Sequence, residues 1–251
     1  MKKNLTFFFL IIVSFSIHAQ GVQLTCSQSE PACDNCSDYQ TLFPIQNLSV
    51  ESGSLDIEAN QSEILNESYH LSGNVEVKSE NLYLAADDIK VNTTDESTIA
   101  KGNVRFQDSS FLIKSESLSA SRKDDNLIAI ATNAKYQDFA SGIGGANGFT
   151  EVIHKTPKKV LLTNSTYSLC PVNKNDWLID ADSIELNLEK NRGVADNATI
   201  IFYGVPIFYL PKYSWVLSGR GSGFLTPDYT KYTETGKDDS SYRFRIPYYF
   251  N

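Results

Sequence analysis

The side chains able to do chemistry in this 251-residue chain are four cysteines, three histidines and 30 acidic residues, and their spacing is informative. Cys26, Cys33 and Cys36 cluster near the N-terminus, and Cys170 stands alone far downstream. Cys33-Asp-Asn-Cys36 has the CxxC spacing used by redox pairs and by zinc sites. A thioredoxin-like pair follows a strand and opens a helix, and neither flank is evident here. Zinc would need further ligands at short spacing, but there is no second CxxC, and His70 and His154 are isolated. Structural disulfides are the favoured reading for Cys26, Cys33, Cys36 and Cys170, with the pairing open. Asp/Glu pairs abound, yet no nucleophile elbow, zinc signature or phosphate loop accompanies them. No catalytic residue, metal or cofactor is expected.

The disulfide reading presupposes an oxidising compartment, and the N-terminus supplies one. Lys2 and Lys3 precede the apolar run LTFFFLIIVSFSI, and Ala19 offers a small residue before a cut ahead of Gln20. Residues 1–19 read as a secretory signal, too short for a membrane span. Losing both lysines takes the net charge from −8 to −10. An acidic exported chain has no basic face for nucleic acid.

Helical periodicity is scarce, while Thr, Ser, Val, Ile, Tyr and Phe recur in short alternating runs, so the fold class is all-β. An internal repeat organises them. LYLAADDIKVN (82–92) matches WLIDADSIELN (177–187), with the Ala, Asp, Ile and Asn positions in step. FLIKSESLSA (111–120) is a third copy, and LDIEANQSEI (55–64) a fainter one. LSGNVEV and IAKGNVRF precede two of them, which predicts units of strand, tight turn at Gly-Asn, strand, polar turn and strand. Alternation puts Val75, Val77, Leu82, Leu84, Ile89, Val91, Val104, Phe106, Phe111, Ile113, Leu118, Ile128 and Ile130 on one face. One unit cannot bury that face, so successive units should face one another in a long antiparallel sandwich.

The repeats, the signal and the early cysteines resemble the N-terminal part of the lipopolysaccharide-assembly family LptD, once called organic solvent tolerance proteins. The repeat alone is also similar to the periplasmic carriers LptA and LptC. "TYSLCP" around Cys170, "DWLIDADSIELN", "ADNATIIFYGVPIFYLP", "RGSGFLTP" and "IPYYFN" resemble the passage from jellyroll to outer-membrane barrel in that family. The resemblance implies a cysteine-containing segment (20–47), a periplasmic antiparallel β-jellyroll (48–200), and a linker with the first segments of a barrel (201–251). It implies an apolar groove for lipopolysaccharide, lined by Ile57, Val75, Val77, Leu84, Ile89, Val104, Phe106, Ile113 and Leu118. The implied partners are lipopolysaccharide, the bridge protein LptA and the lipoprotein LptE. The place is the cell outer membrane, with the jellyroll in the periplasm. Cys170 and one early cysteine are each implied to pair with barrel cysteines. Pro227 and Pro247 fall in segments that form the barrel's lateral gate.

IFYGVPIFYLPKYSW (201–215) is rich in aromatics and twice interrupted by proline, which fits neither a central strand nor a membrane helix. An irregular linker or an edge at the membrane interface is expected. A closed barrel needs roughly ten residues per strand many times over, so the sequence reads as part of a longer protein. Two other classes fit the composition: a soluble periplasmic lipopolysaccharide carrier of the LptA/LptC type, and an exported glycan-active β-repeat enzyme. Bound lipid would single out a carrier.

Overall fold

The computed structural model describes residues 41–123, 126–138, 145–172, 176–218, 221–225, 228–233 and 240–250. The signal segment, Cys26, Cys33, Cys36 and Pro227 lie outside them. The edge is made by β1 (Asp56–Glu58) and β2 (Gln61–Leu65), both paired to β3 (Ser68–Lys78). An antiparallel meander follows: β4 (Tyr83–Asn92), β5 (Ser97–Gln107), β6 (Phe111–Lys123), β7 (Asn126–Asp138) and β8 (Ala146–Lys155). It continues through β9 (Lys159–Tyr167), β10 (Trp177–Asn187), β11 (Arg192–Phe202) and β12 (Val205–Val216). The short β13 (Gly223–Phe224) joins β12 in parallel and carries β16 (Tyr248–Tyr249), while β14 (Asp228–Thr233) and β15 (Ser240–Arg245) form a separate hairpin.

The all-β antiparallel architecture stands, but Gly-Asn does not turn the chain. Gly73-Asn74 and Gly102-Asn103 lie inside the continuous strands β3 and β5, all four in the left-handed region with φ of 48 to 76°. Two residues of β3 stand opposite Asp87 alone, and two of β5 opposite Glu116 alone. These are β-bulges, which bend a strand rather than reverse it. Asn133, Asn164 and Asn197 have the same φ in β7, β9 and β11, so every odd-numbered strand from β3 to β11 bends at one level. The neighbouring even strand supplies an acid outside the bend: Asn103 donates to Asp87 at 2.9 Å, Asn164 to Glu151 at 2.7 Å, and Asn197 to Asp182 at 2.7 Å. A Cβ on Gly102 would meet the Asp87 carboxylate at 2.3 Å, and one on Gly73 would meet Asn60 at 2.9 Å. Asn60 separates β1 from β2, so these two are the halves of one bent edge strand.

The inner side of the bend has room for little. Val75, Ala86, Val104, Ser115, Ala134, Thr150, Ser165, Ala181 and Ala198 line it, all buried and none larger than valine. The hydroxyls there serve carbonyls: Thr150 donates to those of Val152 and Thr163, both at 2.9 Å, and Ser165 to that of Phe149 at 3.0 Å. Buried carbonyls displaced from the ladder need such donors.

Because each strand bends, the sheet folds on itself, and the two layers are the two arms of every strand rather than successive repeats. Lys155 lies in register with Ala129, Ala120 and Thr98 across the sheet. Asp108 is ten residues further along the chain from Thr98, roughly 33 Å away if the sheet were flat. Yet the Lys155 ammonium lies 2.5 Å from the Asp108 carboxylate. The sequence expectation of facing repeats gives way to this because αL residues within a strand and αL residues in a turn share one composition signal.

Two further segments close the outside and one end. Phe43 packs on Tyr83, Ala85 and Leu112 outside the first arm, and the Gln46 backbone exchanges hydrogen bonds with the Gln107 amide, both at 2.8 Å. Residues 201–215 are a hairpin strand: Tyr203-Gly204 turn with φ of 46 and 77°, and β12 pairs along β11. The sheet thus runs on past residue 200 without an irregular linker. Pro206 sits beside a register shift and Pro211 opposite the Asn197 bend. Across β12, the described pairing is at Trp215 alone, so both prolines occupy the edge where a missing N–H is tolerated.

The crease generates a stability prediction. Ala134→Leu should overpack it and lower unfolding free energy by about 1–3 kcal/mol in urea titration, whereas Ser119→Leu on the exposed surface should change it by less than about 0.5 kcal/mol. Equal effects would show that the crease is not tightly filled.

Candidate functional site

The inner face carries two apolar rows, one on each arm. On the first arm, the ladder sets Ile57 beside Val77, then Leu84, Phe106, Ile113 and Tyr136. It resumes as Tyr167, Ile179, Ile200 and Phe208. On the second arm, Leu71, Ile89, Ala100, Leu118, Ala131, Ile153, Leu162, Ile184, Ala195 and Tyr213 follow one another without a gap. At about 4.8 Å per strand, each row is roughly 40 Å long. A one-residue slip would turn a whole row outward, so burial of the face locks the register.

The nine sequence-predicted lining residues fall on this face, whereas Ile128 and Ile130, expected there from alternation, lie on the outer one, because the inner positions of β7 are Ala129 and Ala131. Ile89, Ile113, Phe106 and Leu118 are buried in the arms, Leu84 nearly so, and Val75 and Val104 are buried at the crease. Val77 is half-buried, and Ile57, on the edge strand, is 49% exposed. Sequence reasoning missed the second row beyond Leu118. Its signal was present in the alternation of VIHK, KVLLT and RGVADNATI, but no Gly-Asn pair or strong repeat drew attention to it.

The inner face changes character along its length. At the β1/β2 edge its neighbours are exposed aliphatics and one aromatic, Leu55, Ile57, Ile64 and Tyr69. Towards β12 aromatics take over. Tyr167 of the first arm meets Trp215 of the second at 4.8 Å, Tyr213 stacks on Phe224 at 4.8 Å, and Phe202 meets Phe244 at 5.0 Å. These last contacts bring β13 and β15 over that end. Trp177 and Trp215 bury indole N–H groups without a hydrogen-bond partner. Burial drives the Tyr136 and Tyr213 phenols upward, with the nearby Tyr167 adding to both, so each stays neutral. Tyr136 donates to the Thr166 carbonyl at 2.7 Å. Among the described residues, this end of the inner face is aromatic and apolar, and its buried phenols are neutral.

Cys170 is fully buried and disulfide-bonded, and its carbonyl accepts from the Asn147 amide at 2.6 Å. Cys26, Cys33 and Cys36 lie outside the described residues. Of the two prolines implied at a gate, Pro227 also lies outside them. Pro247 precedes β16, and its carbonyl accepts from the Leu225 N–H at 2.8 Å. His70 is engaged by Asp88 at 3.0 Å on the outside of the sheet.

Residues 56–192 match the family model described as "LptA/(LptD N-terminal domain) LPS transport protein". The chain belongs to this family. Among relatives of the LptA/LptD N-terminal family, the LPS-assembly protein LptD of Pseudoalteromonas atlantica is 27% identical over 229 residues, covering 90% of this chain and 29% of that protein. LptD of Shewanella oneidensis is 30% identical over 182 residues, covering 72% of this chain and 22% of its own length. The chain spans less than a third of the length of these curated relatives. A solved structure, LptH of Pseudomonas aeruginosa, overlays 79% of this chain and 95% of its own at 14% identity and a TM-score of 0.25. The fold description rests on the strand order above and not on that overlay.

If the inner face is the site, charge should be tolerated at its open edge and nowhere deeper. Ile113→Asp should destabilise the fold by about 4 kcal/mol or more, because the carboxylate has no partner there, while Ile57→Asp should stay within about 0.5 kcal/mol. Paired denaturation curves check this; similar losses would mean that Ile57 is not at an open edge.

Proposed function

We propose that this chain carries lipopolysaccharide from a periplasmic bridge to an outer-membrane barrel, with the acyl chains held between the two arms. One observation carries the reading: two apolar rows cross the sheet, the second without a gap and the first broken only at Gly148, beginning at an edge whose apolar side chains are exposed. Sheltering a dozen methylenes from water is worth roughly 10 kcal/mol, which a cleft of this length can supply while the sugar headgroup stays outside. The unpaired edge at β1 and β2 suits edge-to-edge strand addition by an LptA-type bridge. The aromatic end suits a handover at the membrane interface, where aromatic rings with one wet side are favoured. LptE is the partner expected of the barrel. The chain then works at the outer membrane, with this cleft on its periplasmic side.

Photocrosslinkers at Val77, Phe106 or Ile113 should capture lipopolysaccharide in cells, and one at the outward Lys114 should not. Gln107 is unsuited as an outward control because Gln46 covers it. Charged substitutions at the inward positions should also block transport. Equal capture from both faces would sink the cleft reading.

Pro227 and Pro247 are proposed as gate residues, since each lacks the N–H that would close a ladder bond worth roughly 0.5–1.5 kcal/mol, and more in lipid. Replacing both with alanine in the full-length protein should slow lipid export while barrel assembly stays normal. Unchanged export would return them to ordinary turn residues.

A further inference from the structure

An ion pair spans the open side of the cleft, where two arms of an apolar fold would otherwise meet through hydrophobic contact alone. Lys155 ends β8 on the second arm, and Asp108 follows β5 at the tip of the first. Their groups are 2.5 Å apart with side chains 10% and 18% exposed, far less than in the other described lysine pairs. Lys155 also lies over the Phe111 ring at 5.4 Å, so a second-arm cation is held by both a carboxylate and an aromatic face of the first arm. Asp108 is fixed in turn, because its other carboxylate oxygen accepts from the N–H groups of Ser110 and Phe111, both at 2.8 Å. This is a rigid anchor on one tip facing a flexible four-carbon arm on the other. Ala129 and Val160, the strand partners of Lys155, are apolar. Asp138, in register with Phe111, is the neighbouring first-arm carboxylate.

We infer that Lys155 and Asp108 form a latch across the mouth of the cleft, which holds the arms shut when no lipid is bound and opens for loading. The inference rests on the carrier reading for its purpose, but the latch itself is a property of the protein alone. With the arms apart, both charges regain water, so opening leaves no buried charge unpaired. A purely apolar mouth would lack that compensation: parting it would only expose hydrocarbon. Replacing a partly buried pair with packed apolar side chains is commonly neutral or stabilising, whereas removing one partner is not. The two kinds of variant should therefore move in opposite directions.

The test uses spin labels, introduced as unnatural amino acids at Lys114 on the outside of the first arm and Ile130 on the outside of the second. Distances between them are read by double electron–electron resonance without lipid. Lys155→Gln should raise the open fraction about fivefold, and the double variant Lys155→Leu with Asp108→Leu should leave it at or below the wild-type level. Unfolding midpoints followed in parallel identify a variant that has merely melted, in which case Lys155→Met serves in its place. Capture of purified lipopolysaccharide by a photocrosslinker at Ile113 should rise in the first variant and fall in the second. Identical distance distributions in wild type and Lys155→Gln would overturn the latch, as would an equally open double variant. Absence of capture in every variant, with distances shifting as expected, would instead count against the carrier reading and leave the latch standing.

Discussion

Every inner strand of this sheet must change direction at one height, and the left-handed backbone of an asparagine on alternate strands is what allows it. Asparagine tolerates positive φ better than other residues with a Cβ, because its short amide can satisfy nearby polar groups. Here that amide reaches a carboxylate on the adjoining strand at Asn103, Asn164 and Asn197. The bend has two sides with opposite demands. Outside, polar groups must be present and mutually satisfied; inside, side chains must be small enough for two layers to converge. One repeat unit, an Asn on one strand and Ala/Ser/Thr followed by Asp/Glu on the next, meets both. Rows, core and cleft depend on it, since a flat meander of these strands would leave one whole apolar face in water.

That dependence explains what the sequence disclosed and what it concealed. The alternation around Leu84, Phe106 and Ile113 located the inner face, because period two is a local property. The Ala-Asp-x-Ile repeat was visible at Asp87 and Asp182 because identical side chains recur there. Its meaning was hidden, since the partner asparagine lies on the next strand and pairing is non-local. Gly73-Asn74 looked like a turn because left-handed residues serve turns and bulges alike, and only the flanking register tells them apart. Asn133, Asn164 and Asn197 carried no glycine and passed unnoticed. Pro206 and Pro211 argued correctly against a central strand, but whether the remaining place is an edge or a linker is decided by β11. Lys155 and Asp108, 47 positions apart in sequence, were beyond reach altogether, as nothing local marks a contact between arms.

A closed cleft raises the question of how it could accept anything. Ile89, Ile113 and Ile153 are wholly buried, so the arms pack against each other. Prying them apart in water would expose hydrocarbon along both rows at about 25 cal/mol per Å², an unfavourable change for so long a surface. Inserting an acyl chain alters the sum, because apolar surface lost from one contact is regained in another. On the proposed carrier reading, loading is an exchange between similar apolar contacts, and its balance is set by terms at the margins: the ion pair at the mouth, the exposed aliphatics at the first edge and the aromatic cluster at the last. The same logic favours direction. On that reading, the exposed aliphatics at the β1/β2 edge and the aromatics near β13 would present different partners to an acyl chain passing between them. Small side chains along the crease let the two arms approach each other, and the bulges of β3 and β5 already interrupt the ladder there. A fold that bends along one line in every strand thereby buries its two apolar rows against each other.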